Sequence, residues 1–536
     1  MPSYQIIAVS TLGNGCFHRA GIEGQTLHLR FIQPAAHSIK PKTINMKRSI
    51  GVLSIVAAFI LLLVVNCSTP IVVGKTVVIP RAFPDSSVTG IRFPTDSTVI
   101  NGWTNNSAFP TYYDSVSIYK HTWGIWAGLT APTTQSVGGD SLLIYETWLG
   151  LNEVRQYILD SAGPCQPGAL SKRGLAPLTR PRQFEHAGIL ARTINLAARQ
   201  KRRGDTAVAN NLWVTVSYSP EMACYAINNK LFKQSVINSY YQAKGYGQIS
   251  PFPDNSIFIK PTYLEYPADA KILLMPVWLN PPNPADSLNA IGPDQFPFCV
   301  YVDVNNGQPG NKTLVPVTPG CTSKDSIANA TCNLNDFIHF TVDSTMAAFM
   351  NQQDSIQGLS GGNKAEAGNR VLLVAMHVGT KEISNWTWQT FFWAPAPSTP
   401  GGPSSNLAAS LLPNTVQGAA RHYAANAAYV MTTPNNSTSP KAGSMFGYNP
   451  YLEGGFGPTT FNIPNHYQPT FVYGMQTNCM TCHSLAVPSS ATGYATDQYI
   501  SLVDPALFKG QVKLDFAWSI QTALINDTIP YWNFTK

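Results

Sequence analysis

Near its C-terminal end the chain carries Asn478-Cys479-Met480-Thr481-Cys482-His483, a C-x-x-C-H, and no other stretch combines chemistry-bearing side chains so closely. Two thiols three residues apart lie one helical turn from each other, so both can add to the vinyl groups along one edge of a porphyrin. The imidazole that follows is then delivered to the iron from the same side. Cys479 and Cys482 are therefore the expected thioether sites of one haem c, and His483 its expected axial iron ligand.

Other uses of the thiol pair ask for more than the chain supplies. A structural zinc ion needs four ligands, and no second C-x-x-C exists. A thioredoxin-like pair needs a preceding strand and a βαβ frame, whereas only 53 residues follow His483. A plain disulfide between Cys479 and Cys482 would leave His483 without a role.

The opposite face of the iron is the informative gap. Residues 484–536 hold neither Met nor His, so a sixth ligand has to come from upstream. His377, in the apolar run Val371–Val378, and His466, in the Pro-punctuated stretch Asn462-Ile-Pro-Asn-His466-Tyr-Gln-Pro469, are the two candidates for the distal position. Met475, Met445, Met431 and His422 stand behind them, Met475 being too near the attachment turn to reach across. With none of these, the iron would be five-coordinate and open to small molecules.

Covalent haem attachment takes place outside the cytoplasm, and the N-terminal region agrees. From Met46 the chain runs MKRSIGVLSIVAAFILLLVVNC, two cations followed by an apolar stretch from Ile50 to Val65, the pattern of an export signal. Residues 1–45 show no periodicity and are expected to be an upstream extension of the reading frame, and 46–67 the leader. Cys67, directly after the apolar stretch, looks like the lipid-bearing cysteine of a bacterial lipoprotein, although Asn66 departs from the small residue usual before it. The expected place is the periplasm or outer membrane, with a lipid or an N-terminal anchor in the membrane.

The formal charge of +7 belongs mostly to this leader. Residues 1–48 contain six Lys or Arg against the single acid Glu23, and the rest of the chain stands at +2, which removes the case for nucleic acid. Redox partner proteins are the expected partners instead. Arg199, Lys201, Arg202 and Arg203 close an expected helix over 182–203 as solvated C-terminal charges.

Five cysteines remain between leader and haem motif: Cys165, Cys224, Cys299, Cys321 and Cys332. In an oxidising compartment Cys321 and Cys332 close a short Asn- and Ser-rich loop and are the first expected disulfide, while Cys299, inside an apolar strand, is the expected buried thiol.

These residues have to be held by a fold of the α+β class, a β-rich body with inserted helices followed by a mainly helix and loop C-terminal haem segment. Short alternating runs at 76–79, 115–119 and 141–145 suggest strands, as do 212–218, 256–260, 271–278, 298–304, 337–342 and 371–378. Ser219-Pro220-Glu221 gives an N-cap, first-turn proline and acid for a helix continuing to Phe232. Trp103, Trp123, Trp126 and Trp148 are expected in the core rather than on an exposed binding face. APAPSTPGGPSSN at 394–406 is the expected linker between a body over 68–393 and a haem segment over 407–536, in which 407–431 and 514–525 suggest helices.

Several blocks taken together resemble uncharacterised exported bacterial proteins of the cytochrome c family. They are Tyr145-Glu-Thr-Trp148, Tyr218 to Leu231, Phe252 to Lys260, Met376-His-Val-Gly-Thr-Lys381 with Trp386-Thr-Trp-Gln-Thr-Phe391, and Asn478 to His483. Where relatives often continue the Trp/Thr/Phe block with an acid and a His, this chain has Phe392 and Trp393. The resemblance implies haem attachment and names no substrate. Electron transfer is thus the expected activity, the alternatives being a peroxidase- or oxidase-like haem enzyme with an open iron, or an aromatic-lined binding module with an appended haem.

Overall fold

The computed structural model describes residues 77–525 apart from 110–111, 161–162, 176–177, 181–211, 281–289, 309–314, 317–330, 357–363, 436–442, 462, 464–471 and 490–492. The leader with Cys67, the basic cluster at 199–203, Cys321 and His466 lie outside the described residues. Residues 74–536 cluster as one compact unit.

An eight-stranded antiparallel sheet organises that unit. In chain order its strands are β1 (Leu149–Gly150), β2 (Leu212–Val214), β3 (Ser217–Tyr218), β4 (Ile257–Tyr266), β5 (His339–Thr341), β6 (Arg370–Thr380), β7 (Thr387–Trp393) and β8 (Tyr423–Ala428). The spatial order is β8-β7-β6-β4-β3-β1, with β5 also on β6 and β2 also on β4. β6 is central because nearly every residue from Val371 to Val378 is apolar and buried, which suits a strand covered on both faces. A register shift between Leu373 and Ala375 bends it against β4.

One face of the sheet packs on helix α1 (Ser115–Leu129), through Trp123 and Trp126 against Phe391 and Tyr423. The alternation of Ser115 to Tyr119 suggests a strand, but Asp114 accepts from the Ser117 backbone N–H as an N-cap and the apolar run continues to Leu129. Trp123, Trp126 and Trp148 are fully buried, as the sequence predicts, so they offer no exposed aromatic face. Further helices are α2 (Leu151–Asp160), α3 (Pro220–Asn228) with Ser219 as its N-cap, α4 (Ser344–Ile356), α5 (Cys479–His483) and α6 (Trp518–Ala523). α3 matches its start signal, Ser219 accepting from the Met222 N–H.

The stretch 394–406 connects β7 to β8, which are neighbours in the sheet, so the residues beyond it complete the body's own core instead of building a second one. The helix expected over 407–431 is only Asn406–Ser410 plus a 3-10 turn, after which Tyr423–Ala428 is strand β8. Alanines 424, 425, 427 and 428 have high helix propensity, yet their small side chains let α1 and the 446–453 segment approach the sheet.

A smaller sheet pairs Ile272–Val277 with Phe298–Asp303, and the latter in parallel with Cys332–Asn333. There the cysteine expectations need correcting. Cys332 is a buried thiol whose Sγ donates to the Tyr301 carbonyl at 3.7 Å, not half of a bridge to Cys321. Cys299, expected as a thiol, is disulfide-bonded. Cys165 is bridged to Cys224 on α3, 59 residues away.

Candidate functional site

The C-x-x-C-H forms α5 because Asn478 caps it. Its side-chain oxygen accepts from the Thr481 N–H at 3.0 Å, while its amide donates to the Val430 carbonyl at 2.9 Å, tying the helix start to the end of β8. Met480 turns into the core, while Cys479, Cys482 and His483 share one face of the turn at i, i+3 and i+4. Both motif cysteines are thiols, and the Cys479 Sγ donates to the Gly447 carbonyl at 2.8 Å. Cys482 faces Phe456, Phe461 and Tyr494, with Trp518 packed against them. Burial, then the nearby Glu453 carboxylate, push both thiols well above the usual thiol range.

His483 is set by its neighbours on three sides. Its Nδ1 lies 2.8 Å from the Phe516 carbonyl oxygen, an atom that only accepts, so Nδ1 carries the proton and Nε2 keeps its lone pair. The ring lies over Trp388, centroids 4.1 Å apart, and Phe258 at 6.0 Å. Burial, opposed by the Phe516 bond and reinforced by His377 and Lys260, holds its pKa down to about 3. The imidazole is therefore neutral at physiological pH, the form in which histidine binds a metal.

The floor under this ring is written in the strand register. Phe258 pairs with Gly379, and Gly379 with Trp388, which places all three in one row on the sheet face opposite α1. A Cβ on Gly379 would stand 2.7 Å from the Phe258 ring, so only glycine lets the two aromatics converge. One row along, Lys260 pairs with His377 and His377 with Thr390. The His377 Nε2 is 2.8 Å from the Glu453 carboxylate, while its buried Nδ1 has no hydrogen-bond partner. Burial pushes Lys260 down to about 8 against the pull of Glu453 and Cys482.

Of the sequence-predicted residues, the structure thus brings Cys479, Cys482, His483 and His377 into one region. Met431 is elsewhere engaged, its Sδ accepting from the Ile500 N–H, and His422 pairs with Asp336 at 3.2 Å. Glu453, Lys260, Trp388 and the Phe516 carbonyl were not legible as site components. Trp388 alone carried a signal, as one of the two tryptophans in Trp386-Thr-Trp388, both of which meet Phe258. Among the described residues no group of three or more His, Cys, Asp or Glu is placed to hold a metal ion. Raised thiol pKa values weigh against a thioredoxin-like pair, whose attacking thiol is lowered.

Comparison with known protein families, with curated proteins and with solved structures returns no match for this chain. Among the described residues no helix is long and apolar enough to cross a membrane.

Proposed function

We propose that this chain is an exported c-type cytochrome carrying one haem, attached through Cys479 and Cys482 and ligated by His483, and that it transfers electrons to and from redox partner proteins. The observation that carries the reading is the His483 ring, whose Nδ1–H is fixed on the Phe516 carbonyl with Nε2 left to bind, beside two thiols one turn apart. This donor set fits a haem c. The hydrogen-bonded carbonyl is the outer partner a metal-bound imidazole uses to fix its tautomer and raise its basicity. When bound, the haem supplies a one-electron Fe(III)/Fe(II) couple.

The chain's own contribution is positional. Asn478 orients the thiols, Phe516 holds the imidazole proton, and the aromatics around Cys482 and His483 exclude water from that edge. The Cys165–Cys224 disulfide supports an oxidising, non-cytoplasmic compartment. A lipid on Cys67 or an uncleaved leader would then hold the protein at the periplasmic or outer membrane surface.

The buried His377–Glu453 pair close to His483 favours a second reading, a haem enzyme of the peroxidase or oxidase type, since an imidazole backed by a carboxylate can move protons. Purified protein made with a cytochrome maturation system should give a haem c pyridine haemochrome with one haem per chain, and a colourless product refutes both readings. A low-spin ferrous form that does not bind CO supports electron transfer, whereas ready CO binding supports the enzyme.

A further inference from the structure

The carbonyl that grips His483 belongs to an unusual turn. Asp515 and Phe516 are consecutive non-glycine residues in the left-handed region, φ +46° and +69°. Each such residue costs on the order of 1 kcal/mol or more and persists only where its surroundings hold it. If either relaxes to the right-handed or extended region, the Phe516 carbonyl swings away from the imidazole.

Asp515 supplies the hold. Its Oδ1 lies 2.6 Å from the Lys381 Nζ, and its Oδ2 accepts from the Phe252 N–H at 2.9 Å. Lys381 is itself anchored directly after β6, its Nζ donating to the Ser384 carbonyl at 2.9 Å and its backbone N–H to the Ser256 carbonyl at 3.0 Å. Asp515 is 5 % and Lys381 7 % exposed. A buried ion pair of this kind adds little net stability over an apolar pair of similar size. Its placement, one residue from the carbonyl that meets the His483 Nδ1, gives it another use.

We infer that Lys381 and Asp515 are positioning residues for the haem histidine: together they lock the 515–516 turn so that the Phe516 carbonyl fixes the Nδ1–H tautomer of His483 and strengthens its Nε2 as a donor to iron. The iron part of this statement rests on the haem reading above; the tautomer part does not. A stronger donor favours Fe(III), so releasing the turn raises the reduction potential.

The test uses the full chain with the double substitution Lys381→Met/Asp515→Asn, which leaves no charge unpaired and keeps at 515 a residue tolerant of the left-handed region. In the haem-loaded protein, the Fe(II)/Fe(III) ratio at a fixed applied potential should rise about tenfold, equivalent to about 59 mV for a one-electron couple. In the haem-free protein, ring nitrogen NMR should show His483 wholly Nδ1-protonated in the natural chain and a mixture of tautomers in the variant. Asp515→Asn alone should move both readouts in the same direction. A variant with lowered Tm but unchanged potential and unchanged tautomer overturns the inference and leaves the pair a structural one. A natural chain that takes up no haem refutes the haem reading, while the tautomer measurement still decides for or against the turn.

Discussion

Acidifying the haem-free protein should expose how firmly the fold keeps His483 neutral. Its pKa is held down to about 3 in the folded chain, against about 6.5 in an unfolded one. Between those values the unfolded state binds the extra proton, so stability is complete above pH about 6.5 and falls as pH drops toward 3. At pH 5 the difference spans about 1.5 units, or about 2 kcal/mol. That figure is an upper bound, because the half-buried ring meets water on one side.

The assay is urea unfolding followed by tryptophan fluorescence at pH 7, 6 and 5, on a Cys479→Ser/Cys482→Ser protein that cannot take haem covalently. A second protein carries His483→Gln in addition. Every other titrating group is common to both, so the difference of their pH slopes isolates the imidazole. Equal slopes in the two proteins would refute the burial of His483 and, with it, the geometry that makes Nε2 available.

Three further outcomes follow from the same structure. Cys165→Ala/Cys224→Ala opens a bridge across 59 residues and should lower stability by about 4 kcal/mol, seen as a reduced urea midpoint; an unmoved midpoint contradicts it. Gly379→Val drives a side chain into the Phe258 ring and should cost about 1–3 kcal/mol in thermal unfolding, with His483 displaced in the haem-free NMR spectrum. Burial raises the Glu146 carboxyl to about 7, so its protonated form is favoured and stability is lost as pH climbs from about 4.3 to 7. Glu146→Gln should therefore be neutral at pH 4 and stabilising by up to about 4 kcal/mol at pH 8, measured by urea titration.

Much of the body could be read from period and punctuation. The strands at 272–277, 298–303 and 370–380 follow largely apolar runs, and Ser219-Pro220 announces α3. α1 was obscured because Ser115 to Tyr119 alternates over five residues, too few to tell a strand from the first turn of a helix. β8 was obscured by alanines, whose local preference is helical and whose strand state is imposed by packing from both faces.

At the site, the three side chains proposed to hold the haem, Cys479, Cys482 and His483, follow from spacing alone. Their supports do not, since each lies far along the chain: Phe516 is 33 residues from His483, Glu453 is 76 from His377, and Lys381 is 134 from Asp515. A backbone carbonyl also carries no residue signature, so nothing in the letter at 516 announces what its oxygen holds. The Cys165–Cys224 bridge is equally silent, because spacing favours short loops such as 321–332 while the sheet decides which sulfurs meet.

Attachment of a porphyrin to the motif thiols is the most direct test of the proposed function. Peptide mapping by mass spectrometry, on protein produced with a cytochrome maturation system, should find one haem mass on the peptide containing Cys479 and Cys482, and none anywhere in a Cys479→Ala/Cys482→Ala protein. Recovery of that peptide with both thiols unmodified, from a folded and correctly exported chain, would contradict it.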